Sequence, residues 1–502
     1  MTAMLCLTLT GHVTQADKNR SDYLYIPFDL PRPARRLTVR YSYSAAMSSN
    51  RVDGGNVIDI GLFDPRGADF PGGPGFRGWS GSARRQFTIS PSRATPGYLP
   101  GPLPAGRYQV ILGLYRIWPA GADYEIAVEA EVDDEKPDVS DMLSASAEPV
   151  RENPFRPRQS ASFVSAGWLR GDLQSHTFHS DAAGSPQQLL DKARSLGLDF
   201  LAVTDHNTVS HQRALARLES EPLLLIPGQE VTTYYGHMNV WGAGRWCDFR
   251  CRTPDDMRAV IDLAHGNGAL CSINHPKQGG PDWEYGFDLP VDALEVWQGP
   301  WPYRNTESLA LWERLLAAGW RVPVVGGSDY HCPAGEETNF LRLGQPTTWV
   351  KTSERSLAGV LEAIRQGWVS ISASADGPRL DLHARSAGGQ AEMGGALPVP
   401  AGAGVAVTAT VWRGAGLVLR LIVDGAVAFE QTVDGDETRM TASVQPGRAL
   451  RAELVGDLSP DRLPPNAPTG IDLRGWRWAL TNPIYCVDRE GGSPGAIVRH
   501  GG

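Results

Sequence analysis

Two histidines and two aspartates fall within eleven residues at Gly171-Asp172-Leu173-Gln174-Ser175-His176-Thr177-Phe178-His179-Ser180-Asp181. Imidazole and carboxylate together suit divalent cations. The plainer reading is a solvated loop between a strand and a helix. The rest of the chain weighs against it. Histidine is scarce, 11 in 502 residues, yet eight lie between His176 and His331. Apolar runs of strand length end on the same residue types. Leu198–Val203 runs into Thr204-Asp205-His206-Asn207, and Leu223–Ile226 into Pro227-Gly228-Gln229-Glu230. Ala269–Ile273 runs into Asn274-His275-Pro276, and Val322–Val325 into Gly326-Gly327-Ser328-Asp329-Tyr330-His331, while His237 opens His-Met-Asn-Val-Trp-Gly. Separate strands that deliver His, Asp and Glu at their carboxyl ends imply one convergent site on one face of a parallel barrel.

The elements that must position these residues alternate. Between 166 and 375, strand-like runs are followed by helix-like segments at 186–196, 208–219, 254–267, 305–318 and 354–366, a βα pattern. Thr253 before Pro254-Asp-Asp is a good N-cap, and Ser353 with Glu354 suggests another. Residues 1–135 read as an all-β, sandwich-like unit: period-two runs such as Leu37–Tyr43, Tyr108–Tyr115 and Tyr124–Val132 are separated by Gly/Pro clusters. The opening residues Met1–Thr10 alternate like a first strand. The aromatic loop Phe76–Trp79 reads as the cover of a core edge, with ligand contact the second choice. Residues 136–165 have a linker's composition. Residues 376–502 return to alternation as a second small sandwich, with Asp424-Gly425 as a hairpin turn and Trp476–Tyr485 as strand that pairs back onto the sheet.

The composition is that of an ordinary globular protein, 41% apolar and 21% charged. A net charge of −9 argues against a general nucleic-acid binder. No run approaches the length of a membrane helix, and without a basic leader the cytoplasm is the expected compartment. Six dispersed cysteines read as free thiols; Cys247 and Cys251 have no second pair to complete a zinc site.

The middle segment resembles the PHP (polymerase and histidinol phosphatase) domain. Gln174-Ser-His176-Thr177-Phe-His-Ser180-Asp181 follows that family's opening motif in all but its first histidine. Thr204-Asp205-His206-Asn207, Gly228-Gln229-Glu230, His237, Asn274-His275-Pro276 and Asp329-Tyr330-His331 follow the later ones in order across about 200 residues. The flanking β units and Thr481-Asn-Pro-Ile484 look most like the CehA/McbA group within it. The resemblance implies a distorted (β/α)7 barrel with two to three divalent metals, zinc, manganese or iron. His176, Glu230 and Asp329 would hold the first, Glu230 would bridge to a second held by His237 and His275, and Asp181, His206 and His331 would hold a third. Asp205 would orient this set. Gln174 is the departure, because an amide oxygen is a poorer zinc ligand than imidazole.

Metal-assisted hydrolysis follows, with a metal-activated hydroxide as nucleophile. The family's usual substrates put phosphoesters first, so the expected partner is a small anionic molecule, with no nucleic acid and no membrane; an oligomer stays open. Lys277 and Arg304 are candidates to neutralise phosphate, and Tyr330 to donate to a developing oxyanion; as solvated or packed loop residues they would do neither. The alternative is an aryl carbamate or ester hydrolase, with Trp297, Trp301 and Tyr303 as an apolar wall. A third reading is a non-catalytic binding protein on a degenerate barrel.

Overall fold

The structure is a computed structural model that describes residues 2–47, 54–133, 162–218, 222–279, 282–331, 341–463 and 469–487. Most of the expected linker and the residues after 487 lie outside these, as does Cys332.

The opening alternation forms β1 (Thr2–Val13), which pairs antiparallel along its length with β8 (Ala122–Asp133). A short helix, α1 (Gln15–Arg20), separates β1 from β2 (Tyr23–Leu30). The remaining strands are β3 (Ala34–Tyr43), β4 (Val57–Phe63), β5 (Phe76–Gly81), β6 (Gln86–Ile89) and β7 (Gly106–Arg116). They form two four-stranded sheets, ordered β1-β8-β3-β6 and β2-β7-β4-β5. Leu37, Val39, Phe87 and Val128 from one sheet and Ile60, Leu62, Val110 and Leu112 from the other are buried in one apolar cluster. Phe76 stacks on Trp246 with centroids 3.8 Å apart, so the aromatic stretch covers the contact between this unit and the next.

The central unit is one path of seven neighbouring strands. These are β9 (Ser162–Asp172), β10 (Phe200–Val203), β11 (Leu224–Thr233), β12 (Gly236–Trp241), β13 (Leu270–Ile273), β14 (Ala293–Gln298) and β15 (Val324–Gly327). β9-β10-β11 and β13-β14-β15 are parallel runs; β12 is antiparallel to both of its neighbours. Short runs such as Phe200–Val203 and Leu270–Ile273 are buried at every residue, as strands covered on both faces must be. The two ends of the path meet. His176 N–H donates to Tyr330 O at 2.9 Å, Asp329 N–H to Gln174 O at 3.1 Å, and Ser175 and Tyr330 form a parallel bridge.

Among the described residues, five helices flank the path: α2 (Pro186–Ser195), α3 (Ser210–Leu215), α4 (Pro254–Gly266), α5 (Asn305–Ala317) and α6 (Leu357–Arg365). α2 and α4 each start with proline behind a capping box, Ser185 with Gln188 and Thr253 with Asp256. The last helix starts later than Ser353 and Glu354 suggest. Those two extend β16 (Thr347–Arg355), and Ser356 is the cap, accepting from Gly359 N–H. Strict βα alternation is also absent among the described residues: β11 and β12 form a hairpin, and no described helix separates β13 from β14.

The carboxyl-terminal strands are joined to the central ones by hydrogen bonds. β17 (Val369–Ser372) pairs with β26 (Trp476–Thr481), which pairs with β25 (Ala449–Gly456), so one of their sheets continues the central one. On that sheet lie β22 (Val418–Val423) and β23 (Ala426–Thr432), joined by the Asp424-Gly425 turn with both residues at positive φ. β18 (Arg379–Ser386), β19 (Gly389–Glu392), β21 (Val405–Trp412) and β24 (Glu437–Val444) make a second sheet. The two share a core that includes Leu382, Val407, Leu421 and Leu454. β20 (Ala396–Pro398) pairs with β27 (Ile484–Val487) at the margin.

Candidate metal centre

All eight residues expected as ligands meet at one end of the seven-strand path. His176 and Asp181 follow β9, His206 follows β10, Glu230 sits in β11 and His237 in β12, His275 follows β13, and Asp329 and His331 follow β15. Their donor atoms form three overlapping groups, each within 4.8 Å: His176, Glu230 and Asp329; Glu230, His237 and His275; His176, Asp181, His206 and His331. His176 Nε2 lies 2.9 Å from Asp329 Oδ1 and 3.3 Å from Glu230 Oε2. Glu230 turns its other oxygen to His237 Nδ1 at 3.0 Å and His275 Nε2 at 3.4 Å. Asp181 Oδ1 is 3.6 Å from His206 Nε2 and 3.4 Å from His331 Nε2. The His176 ring is stacked between those of His206 and His331, each 4.3 Å away.

Three carboxylates this close repel unless histidines or cations balance them. Burial pushes the Glu230 carboxyl up, but His206, His237 and His275 outweigh it and hold it well below the usual range. Asp181, set against His206 and His331, and Asp329, set against His176 and His331, are held low in the same way. Burial draws His275 down, yet Glu230 raises it to about 9; His331, facing Asp181 and Asp329, rises to about 10. For His206 burial wins and its basicity falls. The backbone here is strained: His275 and Asp329 have φ of 28° and 54°.

A surrounding layer aims these side chains. Asp205 accepts from Thr177 N–H (2.8 Å), Thr177 Oγ1 (2.7 Å), Ser180 N–H (3.2 Å) and Ser180 Oγ (2.6 Å), which shapes the loop between His176 and Asp181. His331 Nδ1 bonds to Asp329 O at 2.8 Å and His206 Nδ1 to Thr232 Oγ1 at 2.6 Å, so each ring turns Nε2 toward Asp181. Asp172 accepts from Gln174 N–H (3.2 Å), Ser328 N–H (3.0 Å) and Gly344 N–H (2.8 Å), tying the first strand to the last. Arg84, from the amino-terminal unit, donates to Ser180 O at 2.9 Å and to Phe178 O. Glu295 is fully buried behind His275, whose N–H it accepts at 2.9 Å; burial lifts its carboxyl well above the usual range. Gln298 Nε2 donates to Asp329 Oδ2 at 2.7 Å. Sequence reasoning gave Asp172, Arg84, Glu295 and Gln298 no role. Asp172 stood in the eleven-residue stretch Gly171–Asp181, just before the motif; Arg84 is more than 90 residues from the loop it touches and leaves no local signal.

The other candidates are placed differently. Lys277 gives its ammonium to Gln298 O (3.1 Å), Tyr303 O (2.5 Å) and Asn305 Oδ1 (2.8 Å), so it closes the loop before α5. Arg304 pairs with Glu307 and Gln278 on the surface. Tyr330 is 1% exposed and its ring belongs to the apolar cluster with Leu189, Leu190 and Leu215. Trp297 and Trp301 are core residues packed edge to face, which leaves only Tyr303 of the expected aromatic wall exposed. His179 bonds through Nδ1 to Ser210 Oγ at 2.7 Å and lies outside all three donor groups. Cys247 and Cys251 are free and buried.

Donor chemistry and burial fit divalent cations. Gln174 Oε1, His176 Nδ1 and Gln298 Oε1 are buried in this cluster without a hydrogen-bond partner, a cost that native interiors avoid unless another group completes the site.

No family model matches the chain, and no curated protein does. Among solved structures it is similar to a two-domain protein from Bacteroides vulgatus, described as containing a predicted PHP-like metal-dependent phosphoesterase. The two share 19% identity over 66% of this chain and 99% of that one, with a TM-score of 0.37. It is also similar to a candidate metal-dependent phosphoesterase from Bifidobacterium adolescentis (17% identity, 35% of this chain, 90% of that one, TM-score 0.24). A third is an amidohydrolase from Chromobacterium violaceum with bound sulfate and no metal (16% identity, 32% of this chain, 88% of that one, TM-score 0.23).

Proposed function

We propose that this chain is a metal-dependent hydrolase of the PHP type, that its seven-strand path is a distorted barrel flanked by two β-sandwich units, and that its substrates are small phosphoesters. Within that family we group it with the CehA/McbA-like members on the strength of Thr481-Asn-Pro-Ile484 and the flanking β units. The observation that carries the reading is the set of three donor groups, linked one to the next through His176 and Glu230. His176, Glu230 and Asp329 would hold one cation, Glu230, His237 and His275 a second, and Asp181, His206 and His331 a third. Zinc, manganese and iron all suit such sets. Bound cations would supply a Lewis-acid clamp for an anionic oxygen and a water acidified toward neutrality.

The residues themselves do the rest. Asp205 and Asp172 hold the loop and strand ends that carry the ligands. The Nδ1 bonds of His206 and His331 fix which ring nitrogen faces the centre. Lys277, Arg304 and Tyr330 are occupied elsewhere, so charge neutralisation of a phosphate falls to the centre itself. The burial of Trp297 and Trp301 removes the feature that favoured an aryl carbamate.

The test is elemental analysis of the purified protein with turnover of para-nitrophenyl phosphate, bis-para-nitrophenyl phosphate and an aryl carbamate. Two or more metals per chain with phosphoester turnover is the expected result, with that turnover and one metal equivalent lost in His237→Ala. Carbamate turnover alone would move the reading to that bond. Fewer than about 0.2 metals per chain after reconstitution, with no turnover of any of the three, would leave a binding protein on a degenerate barrel.

A further inference from the structure

Gln174 is fully buried at the end of β9. Its Nε2 lies 3.2 Å from Asp329 Oδ1 and 3.3 Å from Glu230 Oε2. His176 Nε2 approaches the same two oxygens, at 2.9 and 3.3 Å. The end of the Gln174 amide therefore takes a fourth corner around the space shared by His176, Glu230 and Asp329. Its other atom, Oε1, is buried without a partner.

An amide has two nearly isosteric ends of opposite polarity, and a half-turn about the last side-chain bond exchanges them. With only two carboxylates to face, the NH2 end is the one that points inward. Once a cation neutralises those carboxylates, the same NH2 is repelled and the carbonyl oxygen is attracted. The orphaned Oε1 is thus an acceptor held ready for a positive charge.

We propose that Gln174 is a metal ligand through Oε1, and that the position it shares with His176, Glu230 and Asp329 is a hard, oxygen-rich site matched to manganese or magnesium. This deepens the metal-centre reading and rests on it. The donor sets support the distinction. The first position would have one imidazole and three oxygens. The second, Glu230 with His237 and His275, has two imidazoles and one oxygen; the third, Asp181 with His206 and His331 beside His176, has three imidazoles and one oxygen. Imidazole nitrogen favours zinc, whereas carboxylate and carbonyl oxygen favour magnesium and manganese. A single chain would then hold two kinds of cation site side by side, with Glu230 shared between the hard and the softer one.

The experiment strips the full-length protein with chelator, titrates it separately with Zn2+ and Mn2+, and counts bound metal by elemental analysis, with electron paramagnetic resonance for Mn2+. It compares the native protein with Gln174→His and Gln174→Leu. Gln174→His should shift the zinc-to-manganese preference of one equivalent toward zinc by at least about tenfold and leave the others unchanged. Gln174→Leu, similar in size but without a donor, should lose one Mn2+ equivalent at concentrations that saturate the native protein. Retention of the remaining equivalents and an unchanged circular dichroism spectrum guard against misfolding. If both variants bind both metals as the native protein does, Gln174 is not a ligand and the inference falls. A native protein that binds no metal would overturn both this inference and the metal centre. The readout is occupancy, so absent phosphoester turnover at full occupancy would sink the functional reading alone.

Discussion

Arg84 of the amino-terminal unit donates to the carbonyl of Ser180, the residue before Asp181. A charge-assisted bond from another unit thus holds the loop that carries a candidate ligand. Arg84→Ala should weaken binding of the cation proposed for Asp181, His206 and His331 by about tenfold, as loss of a supporting partner does. The equivalents that depend on His237 and His275 should be unaffected. Metal titration monitored by elemental analysis decides it; a uniform fall in all equivalents would mean that the whole fold had been damaged.

Glu230 is the most shared residue of the cluster, with His176, His206, His237 and His275 all within 3.4 Å of its oxygens. Glu230→Gln keeps the shape and removes the charge. It should release two cations together and reduce turnover by at least about 100-fold, beyond the usual cost of losing an outer partner. Release of one equivalent only would show that Glu230 does not bridge.

Chelation should lower the melting temperature, because cations that bind only the folded chain stabilise it by mass action. A fall of at least about 2 °C is expected, reversed by adding manganese or zinc. An unchanged melting curve after verified metal removal would contradict the coupling.

His179 supplies a pH prediction outside the donor groups. Burial lowers it from 6.5 to about 4, and it is 9% exposed. Between those values the unfolded chain holds a proton that the folded chain refuses, so stability rises with pH there and is lost as pH falls through the window. At about 1.4 kcal/mol per unit the contribution is roughly 3 kcal/mol. His179→Asn should flatten the acid limb of urea-unfolding stability between about pH 6.5 and 4. An unaltered limb would show that His179 is not kept neutral.

What could be read from the sequence follows from locality. Each candidate ligand sits at or just beyond an apolar run, so strand, strand end and donor appear together in one short window; Leu198–Val203 followed by Asp205-His206 is the clearest case. Thr253 and Pro254 likewise announced α4. Relationships across distance were not legible. Nothing near Trp297 says that its ring faces the core, and nothing near Lys277 announces the three acceptors that use up its ammonium. The start of the last helix was misplaced because Ser353-Glu354 and Ser356 are both plausible caps, and only the pairing of β16 with β9, through Glu354↔Phe163, chooses between them.

The composition change near residue 376 looks like a boundary between separable pieces, yet the hydrogen bonds cross it. Asn482 Oδ1 accepts from Val324 N–H at 2.8 Å, and Nδ2 donates to Val324 O at 2.8 Å and Val369 O at 3.3 Å, so one side chain substitutes for a length of strand between β15 and β17. Ser370–Ser372 then pairs with Ala479–Thr481. A chain ending at 375 would bare the edge of β17 and unlatch the strand that leads to Asp329, leaving an open edge of the kind that invites aggregation. The carboxyl-terminal strands are thus the hem of the central sheet, and in this chain the two are to be expressed and engineered as one piece.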